Sequence, residues 1–567
     1  MNILDWIVML GTLLSIVLYG VWKTRSVNSI KSYLLGDRDL PWWTIGLSIM
    51  ATQASAITFL STPGQAFSDG MRFAQFYFGM PVAMVILCIF FLPIYYRLNV
   101  YTAYEYLEGR FDLKTRSFTA VLFLISRGMA AGITIYAPAI ILSSILGWSL
   151  TVTNLFMGAL VIIYTVIGGT KAVSVTQKQQ MIVILLGMVI AAIILVFKLP
   201  SDVSFGEAVG VAGKMGKLNV VDFSFNLENR YTFWSGMLGG VFLFLSYFGT
   251  DQSQVQRYLS GKSLSESRLG LLFNGIIKVP MQFLVLFVGI LVFVFFQFEK
   301  PPLHFNTANV AQVQNSAYAA DYEKLETEHT KIFTEKQVAV RRLMDEINGG
   351  DAAAITAAEG SLEVLKTQDL NIQKAADELI KKVNPAAETK DDDYVFITFV
   401  INYLPAGLVG LLLAVIFSAA MSSISSELNA LATTTVVDIY RRNFKPEETD
   451  RHYLSASKWF TVGWGVLALI FAEFASLFEN LIQAVNIVGS LFYGVILGIF
   501  MTAFFLKKVK GTAVFWAAVI SEIMIIVIFI LTQMKIINIS FLWLNLIGCA
   551  LVMLLSLIVG IKNRRAA

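Results

Sequence analysis

Cysteine, histidine and charge are all scarce in this chain. Its 567 residues include only 2 cysteines and 3 histidines. Cys88 and Cys549 each lie inside an apolar run, which excludes a disulfide scaffold and a cysteine-rich metal site. His304, His329 and His452 are too far apart in sequence to suggest a metal cluster. Charged residues make up 14%, where soluble globular chains carry about 25%. No nucleophile–base pair or phosphate loop stands out, so an enzyme is not expected. What fills the chain is apolar: 56% hydrophobic, with a mean hydropathy of +0.68. An ordinary soluble protein is excluded.

Uncharged runs of about 20 residues, each long enough to cross a bilayer as a helix, recur along the chain. About 13 spans are expected: 3–22, 41–62, 73–96, 117–146, 150–168, 179–198, 231–255, 269–298, 396–429, 457–477, 480–506, 512–533 and 540–561. The first carries Asp5 where a signal peptide would be basic, so it reads as a retained helix. Placing the N-terminus outside and the C-terminus inside puts 24 Lys/Arg in the inner loops against 7 outside, apart from an insert described below. Arg127 and Lys278 are left within apolar runs, where an intramembrane charge marks a candidate functional site. The expected location is a cell membrane, crossed many times, with a bacterial inner membrane as the specific expectation. The basic membrane body reflects inner loops, not nucleic-acid binding.

Residues 301–395 interrupt this pattern with 10 Lys/Arg and 17 Asp/Glu, while the rest of the chain is net positive. The domain reading is therefore a membrane part over 1–300, an extracytoplasmic insert over 301–395, and a second membrane part over 396–567. The insert reads as two helices, about 308–347 and 351–383, broken at Asn348–Asp351. Leu325, Ile332, Val338 and Leu343, then Leu362, Leu365, Leu370, Ile372 and Leu379, suggest apolar stripes joining them. A simple antiparallel hairpin and a docking face for an extracytoplasmic protein both fit.

Two spans are too polar for lipid-facing helices. In the second, Thr52, Gln53, Ser55 and Thr58 cluster near mid-membrane. They can line a cavity beside an unwound turn, or simply bond neighbouring helices. In the ninth, Ser418, Ser422, Ser423, Ser425 and Ser426 precede Glu427. Such neutral oxygens suit a hard monovalent cation such as Na⁺; a small-residue packing helix is the alternative. In the seventh, Gly249 offers a third break. Spans 2–6 and 7–11 would then form two five-helix halves, each opening with an interrupted helix, which points to a transporter with a midplane site.

The chain also resembles the sodium/solute symporter family, with sodium/glucose, sodium/sialic acid, sodium/iodide and monocarboxylate transporters among its members. The matching stretches are Ser32–Trp43, Thr102–Phe111, Ile135–Ala139, Gly168–Val173, Asp251–Tyr258 and the serine-rich span followed by Asp438-Ile439-Tyr440. The resemblance covers residues 30–300 and 396–510 and leaves the insert out. It implies an all-α polytopic membrane protein of LeuT-like 5+5 inverted-repeat fold. It also implies a Na⁺ site built from the carbonyls of Ala51, Ala54 and Ala419 and the hydroxyls of Ser422 and Ser423. A second Na⁺ site in some relatives implies Ser422, Ser425 and Ser426 plus an aspartate. Gln177 stands in place of that aspartate here, so one Na⁺ per cycle is expected. The implied substrate positions are Gln53, Ser55, Thr58, Phe73, Tyr77, Phe244, Tyr247, Lys278 and Gln483. Arg127 lies three residues before the arginine that holds a carboxylate in sialic acid transporters; it either binds substrate, lines the exit path or pairs with an acid.

These observations lead to Na⁺-coupled symport of a small polar organic solute, a sugar or a carboxylate such as sialic acid, by alternating access. The expected partners are Na⁺, that solute and the lipid bilayer. An inorganic anion or monocarboxylate symporter, a channel and a non-transporting membrane sensor of the same fold are the alternatives. A sensor would be expected to carry a signalling domain, whereas only Lys562–Ala567 follow the last span.

Overall fold

The computed structural model describes residues 1–23, 38–98, 100–385, 387–474 and 480–565. Ser32–Asp37 of the first matching stretch and 475–477 of the tenth expected span lie outside them, as do the side chains of Gly168–Val173. The described chain is helical throughout, with 82% of residues in helices and no strands. Nine helical stretches among the described residues are long and apolar enough to cross a bilayer.

The first helix, α1 (Ile3–Lys23), packs against a serine-rich helix far along the chain: Asp5 Oδ1 accepts the backbone N–H groups of Gly407 (2.6 Å) and Gly410 (3.3 Å). The next element is broken. Helix α2 (Trp42–Gln53) ends at Ala54, Ser55 is extended, and α3 (Ala56–Asp69) begins. Short helical pieces run through Met80–Leu98, followed by α4 (Leu113–Leu146). The second half-core opens with another interruption: α5 (Leu150–Phe197) and α6 (Phe205–Lys214) lead to α7 (Gly240–Gly249) and α8 (Gln252–Leu259). Between α7 and α8, Thr250 leaves the helix and Asp251 caps α8 by accepting Ser253 N–H at 2.9 Å. The breaks expected near Gln53–Ser55 and after Gly249 are both present. Then α9 (Leu264–Phe298) packs on α2 and α3 so closely that a Cβ at Gly289 would meet the Pro63 carbonyl.

Two span boundaries differ from the sequence reading. Spans 150–168 and 179–198, expected as two helices with a loop at 169–178, fall in the single helical segment α5. The segment still carries both crossings. Its first half lies with Asn154 at Glu473 and Gly465 at Ile162, its second with Gln177 at Ser426 and Gly187 at Leu412. Those two partner helices run oppositely beside α4: Glu427 reaches Arg127 and Val437 reaches Arg116, whereas Trp464 meets Gly128 and Ala468 meets Gly132. The chain therefore reverses between Ile162 and Gln177. The expected span 396–429 is likewise two helices, because Pro405 and Gly407, at φ +89°, end the first and start the second.

The insert contains a hairpin of α10 (Ala319–Gly349) and α11 (Ala352–Val383); the first helix expected over 308–347 is divided, with Thr307–Gln314 a separate short helix ending at Asn315. Gly350 takes φ +76° and Asp351 caps α11. The apolar stripe is partly mis-set in the sequence reading: Val338 and Leu370 are exposed, and Tyr322, Phe333, Val340 and Met344 are buried on α10 together with the expected Leu343. Beyond the hairpin come α12 (Asp392–Tyr403), the serine-rich α13 (Leu408–Thr434), α14 (Asp450–Ala472), α15 (Leu481–Phe505), α16 (Gly511–Gln533) and α17 (Phe541–Arg565).

Asp369 joins the hairpin, accepting from Lys336 (2.9 Å) and pairing with His329 (2.6 Å). Burial pushes its carboxyl up, but His329 and Lys336 outweigh that and hold it below the usual carboxylate range. A depressed carboxylate stabilises above its unfolded pKa, so this contribution is lost as pH falls below about 4. Asp369→Ala should weaken the hairpin by about 1–3 kcal/mol. It should also speed amide exchange in α10 and α11 at pH 7 while leaving exchange in α13 unchanged. Unchanged exchange in the hairpin would show that Asp369 does not hold it.

Candidate functional site

In an unbroken helix the Ala51 carbonyl would accept the Ser55 N–H. The break redirects that N–H to the Gln53 carbonyl at 3.1 Å, and the Ala51 carbonyl is left for other donors. Helix α13 supplies them: Ser423 Oγ lies at 3.2 Å and Ser422 Oγ at 3.5 Å from that oxygen. Ala54 and Ala419 are fully buried on the same two elements. Three sequence-predicted residues, Ala51, Ser422 and Ser423, thus meet where the first broken helix faces α13.

One turn further along α13, Ser425 and Ser426 donate to the Ser422 carbonyl at 3.1 and 3.0 Å. Beside them Gln177 reaches in from α5. Its amide nitrogen donates to Ser426 Oγ (2.8 Å) and Thr52 Oγ1 (3.1 Å), with the Ser422 carbonyl at 3.5 Å, while its oxygen accepts from Ser48.

A cavity of about 80 Å³ opens on the other side of the first break. Of the residues expected to face a substrate, Gln53, Ser55, Thr58, Tyr77, Arg127, Phe244 and Tyr247 line it. Three do not. Phe73 is buried and stacks on Phe76 (5.5 Å), one layer out. Gln483 closes the outer end: it accepts from Arg230 and donates to Gln65 at 3.0 Å. Lys278 is buried on α9 in register with Asn274 and Gln282, and the polar tips of all three have no hydrogen-bond partner among the described residues.

The cavity is also lined by residues that sequence reasoning did not place there, Glu427 and Tyr493, with Asp251 behind them on Arg127. Arg127 donates through Nε to Asp251 Oδ2 (3.0 Å), through Nη1 to Glu427 Oε1 (2.9 Å), and through Nη2 to Asp251 and to the Tyr493 hydroxyl (2.5 Å). The Tyr247 ring stacks over the guanidinium at 5.3 Å. The signal for Glu427 was its carboxylate inside an apolar run. Its direction was not legible, because one residue of helix turns a side chain by about 100°.

The family model for the sodium:solute symporter family matches residues 33–322 and 375–521, most of the chain. The chain belongs to this family. The family is one of sodium:solute symporters. Among curated relatives, the human sodium/iodide cotransporter is 32% identical over 47% of this chain and 41% of that protein. Sodium-coupled monocarboxylate transporter 1 of Mus musculus is 27% identical over 88% and 68%, and the sodium-dependent multivitamin transporter of Oryctolagus cuniculus 27% over 87% and 64%. This chain thus spans less than half of the first of these relatives and about two thirds of the others. A solved structure of a Na⁺-coupled sialic acid symporter, outward-open with substrate bound, superposes with a TM-score of 0.74 over 99% of this chain and 98% of that one, at 21% identity. The symporter fold is shared.

Within the family framework Gln177 has a clear chemical consequence. Its amide N–H₂ fills with donors the point where three oxygens would otherwise face a cation. In Gln177→Asp those oxygens face a carboxylate and need a cation to bridge them. A Na⁺ titration of thermal stability should then steepen, its Hill coefficient rising from near one towards two. An unchanged slope would show that this point takes no ion even when the amide is gone.

Proposed function

We propose that this protein is a Na⁺-coupled symporter of a small polar organic solute, working by alternating access in a LeuT-like inverted-repeat frame. The observation that carries the reading is the Ala51 carbonyl, freed by the helix break and faced by the Ser422 and Ser423 hydroxyls. Na⁺ at this point is held by Ala51, Ala54, Ala419, Ser422 and Ser423, with Ser425 and Ser426 left to Gln177. The ion bridges two elements that no covalent turn joins, so its binding favours one arrangement of α2–α3 against α13 and its release favours another.

Both ends of the pathway carry contacts that must open in turn. On one side Arg230, Gln483 and Gln65 form a chain over the cavity. On the other, Arg116 and Thr102 hold Asp438, and Tyr104 bonds the Thr250 carbonyl at 2.8 Å. The supported orientation places the N-terminus and the insert outside and the C-terminus inside, in a cell membrane such as a bacterial inner membrane. Membrane potential then adds about 2.3 kcal/mol per charge per 100 mV to uptake. A sugar or a carboxylate such as sialic acid is the solute class. An inorganic anion or monocarboxylate is the second reading, favoured by the sequence likeness to the iodide and monocarboxylate cotransporters.

Two measurements test this. Thermal stabilisation of the purified protein by sugars, sialic acid, monocarboxylates and halides, each in Na⁺ and in K⁺, should give a response that requires Na⁺. A response equal in K⁺ would remove Na⁺ coupling. Ser423→Ala should raise the Na⁺ concentration for half-maximal stabilisation roughly tenfold, the loss of about 1.4 kcal/mol. Unaltered Na⁺ dependence would take Ser423 out of the site.

A further inference from the structure

Arg127 has the chemistry of an anion clamp, but the structure has already spent it. Its four hydrogen bonds go to Asp251, Glu427 and Tyr493, and one cation faces two carboxylates. Asp251 is fully engaged: Oδ2 takes Arg127, and Oδ1 takes the N–H and hydroxyl of Ser253 at 2.9 and 2.6 Å. Glu427 is not. Its Oε1 accepts from Arg127, while Oε2 is buried at the cavity with no donor in bonding geometry; the neighbouring Thr134 hydroxyl donates instead to the Ala130 carbonyl at 2.9 Å. Gln53, at the helix break and also lining the cavity, presents a second buried acceptor, Oε1, without a partner among the described residues.

A buried carboxylate oxygen left without a donor is expensive, and it gains most when a donor arrives. The cavity therefore offers two open acceptors and no free cationic donor, and its side walls are the rings of Phe244 and Tyr247. A halide or a simple carboxylate would approach Glu427 with like charge and find the guanidinium already occupied. A hydroxyl or an N–H would find both acceptors waiting.

We propose that Glu427 is the specificity-determining residue of the central cavity, accepting a hydrogen bond from an O–H or N–H donor of the solute, and that Arg127 is a positioning residue that aims it. The solute class is thus one with donor groups, a polyol or an amine, and not a small inorganic anion or monocarboxylate. This rests on the symport reading and narrows its substrate.

The test is uptake into proteoliposomes of the full chain with Na⁺ or K⁺ outside, using labelled galactose, myo-inositol, choline, proline, acetate and iodide. Na⁺-dependent uptake of a donor-bearing probe is expected; galactose or myo-inositol would identify a polyol site, proline an amine site. Glu427→Gln should weaken uptake of that probe about ten- to a hundredfold. It should leave the Na⁺-induced rise in melting temperature in place, which shows that the variant is folded and its ion site intact. Glu427→Asp, with the charge kept and the reach shortened, should fall between. Uptake confined to choline, acetate or iodide overturns the proposal while leaving symport standing, because choline has a hydroxyl but no N–H and its selection without the polyols would point to charge. Donor uptake unaffected by Glu427→Gln, or no donor uptake in Na⁺, also overturns it. Uptake indifferent to Na⁺ against K⁺ overturns the symport reading instead.

Discussion

The structure depends on how the carbonyls released by two broken helices are satisfied away from water. At the second break the Gly249 and Thr250 carbonyls are met by phenols, Tyr95 at 2.7 Å and Tyr104 at 2.8 Å, from other helices. Those partners are large, buried and fixed in place. At the first break the Ala51 carbonyl is met by serine hydroxyls at 3.2 and 3.5 Å, longer than a good O–H···O bond of about 2.7–2.8 Å. A hydroxyl can turn its proton away and offer a lone pair, so a cation can replace the hydrogen bonds at no cost in orphaned groups. A phenol locked on a carbonyl by its packing offers no such exchange. The two breaks are alike in backbone and opposite in use: one is sealed, the other is left open to an ion.

The same accounting separates the two polar clusters behind the first break. Around Gln177 the donors and acceptors are matched within the protein, so the cluster behaves as structure. Around Arg127 they are not: carboxylate exceeds guanidinium, and one oxygen faces a cavity. Buried ion pairs are weak evidence for stability, because desolvation consumes much of the attraction. The excess carboxylate makes the arrangement worse as a purely structural device and better as a receptor.

Much of this was legible in the sequence, for reasons particular residues show. The first break was marked by polar side chains at Thr52–Thr58 that no lipid-facing helix would carry, and the second by Gly249 just before a polar run. The meeting of Ser422 and Ser423 with the Ala51 carbonyl followed from hydroxyl spacing together with the family resemblance. What was not legible depended on three-dimensional direction. Glu427 and Ser426 are neighbours in sequence but serve different clusters. Lys278 and Arg127 look alike as lone intramembrane cations, yet one is saturated and the other has no partner among the described residues. The division of 396–429 was signalled by Pro405 and Gly407 and was overridden by the length of the apolar run. In the hairpin, hydrophobic periodicity gave the helices but not the phase, since Val338 sits where a stripe position was expected and faces outward.

Only the middle of the insert, 323–374, lies outside the family match, which takes in both of its ends against expectation, and the insert is not mechanically separate from the core. Lys217 is the joint. Its ammonium donates to the Phe67 and Ser68 carbonyls at 2.7 and 2.6 Å, at the C-terminal end of α3, where a cation suits the helix dipole. Its own carbonyl accepts the Met71 N–H at 2.9 Å, against Gly70, where φ is +74° and a Cβ would meet that carbonyl. The hairpin grips the segment just before this joint, through Arg341 to Asp202 and Asn348 to Glu207. Exposed pairs like these are worth little singly, at most about 1 kcal/mol. The half-buried lysine and the backbone bond beside it are the contacts that matter. Because α3 is one arm of the first broken helix, that arm cannot shift relative to the hairpin without straining or breaking them.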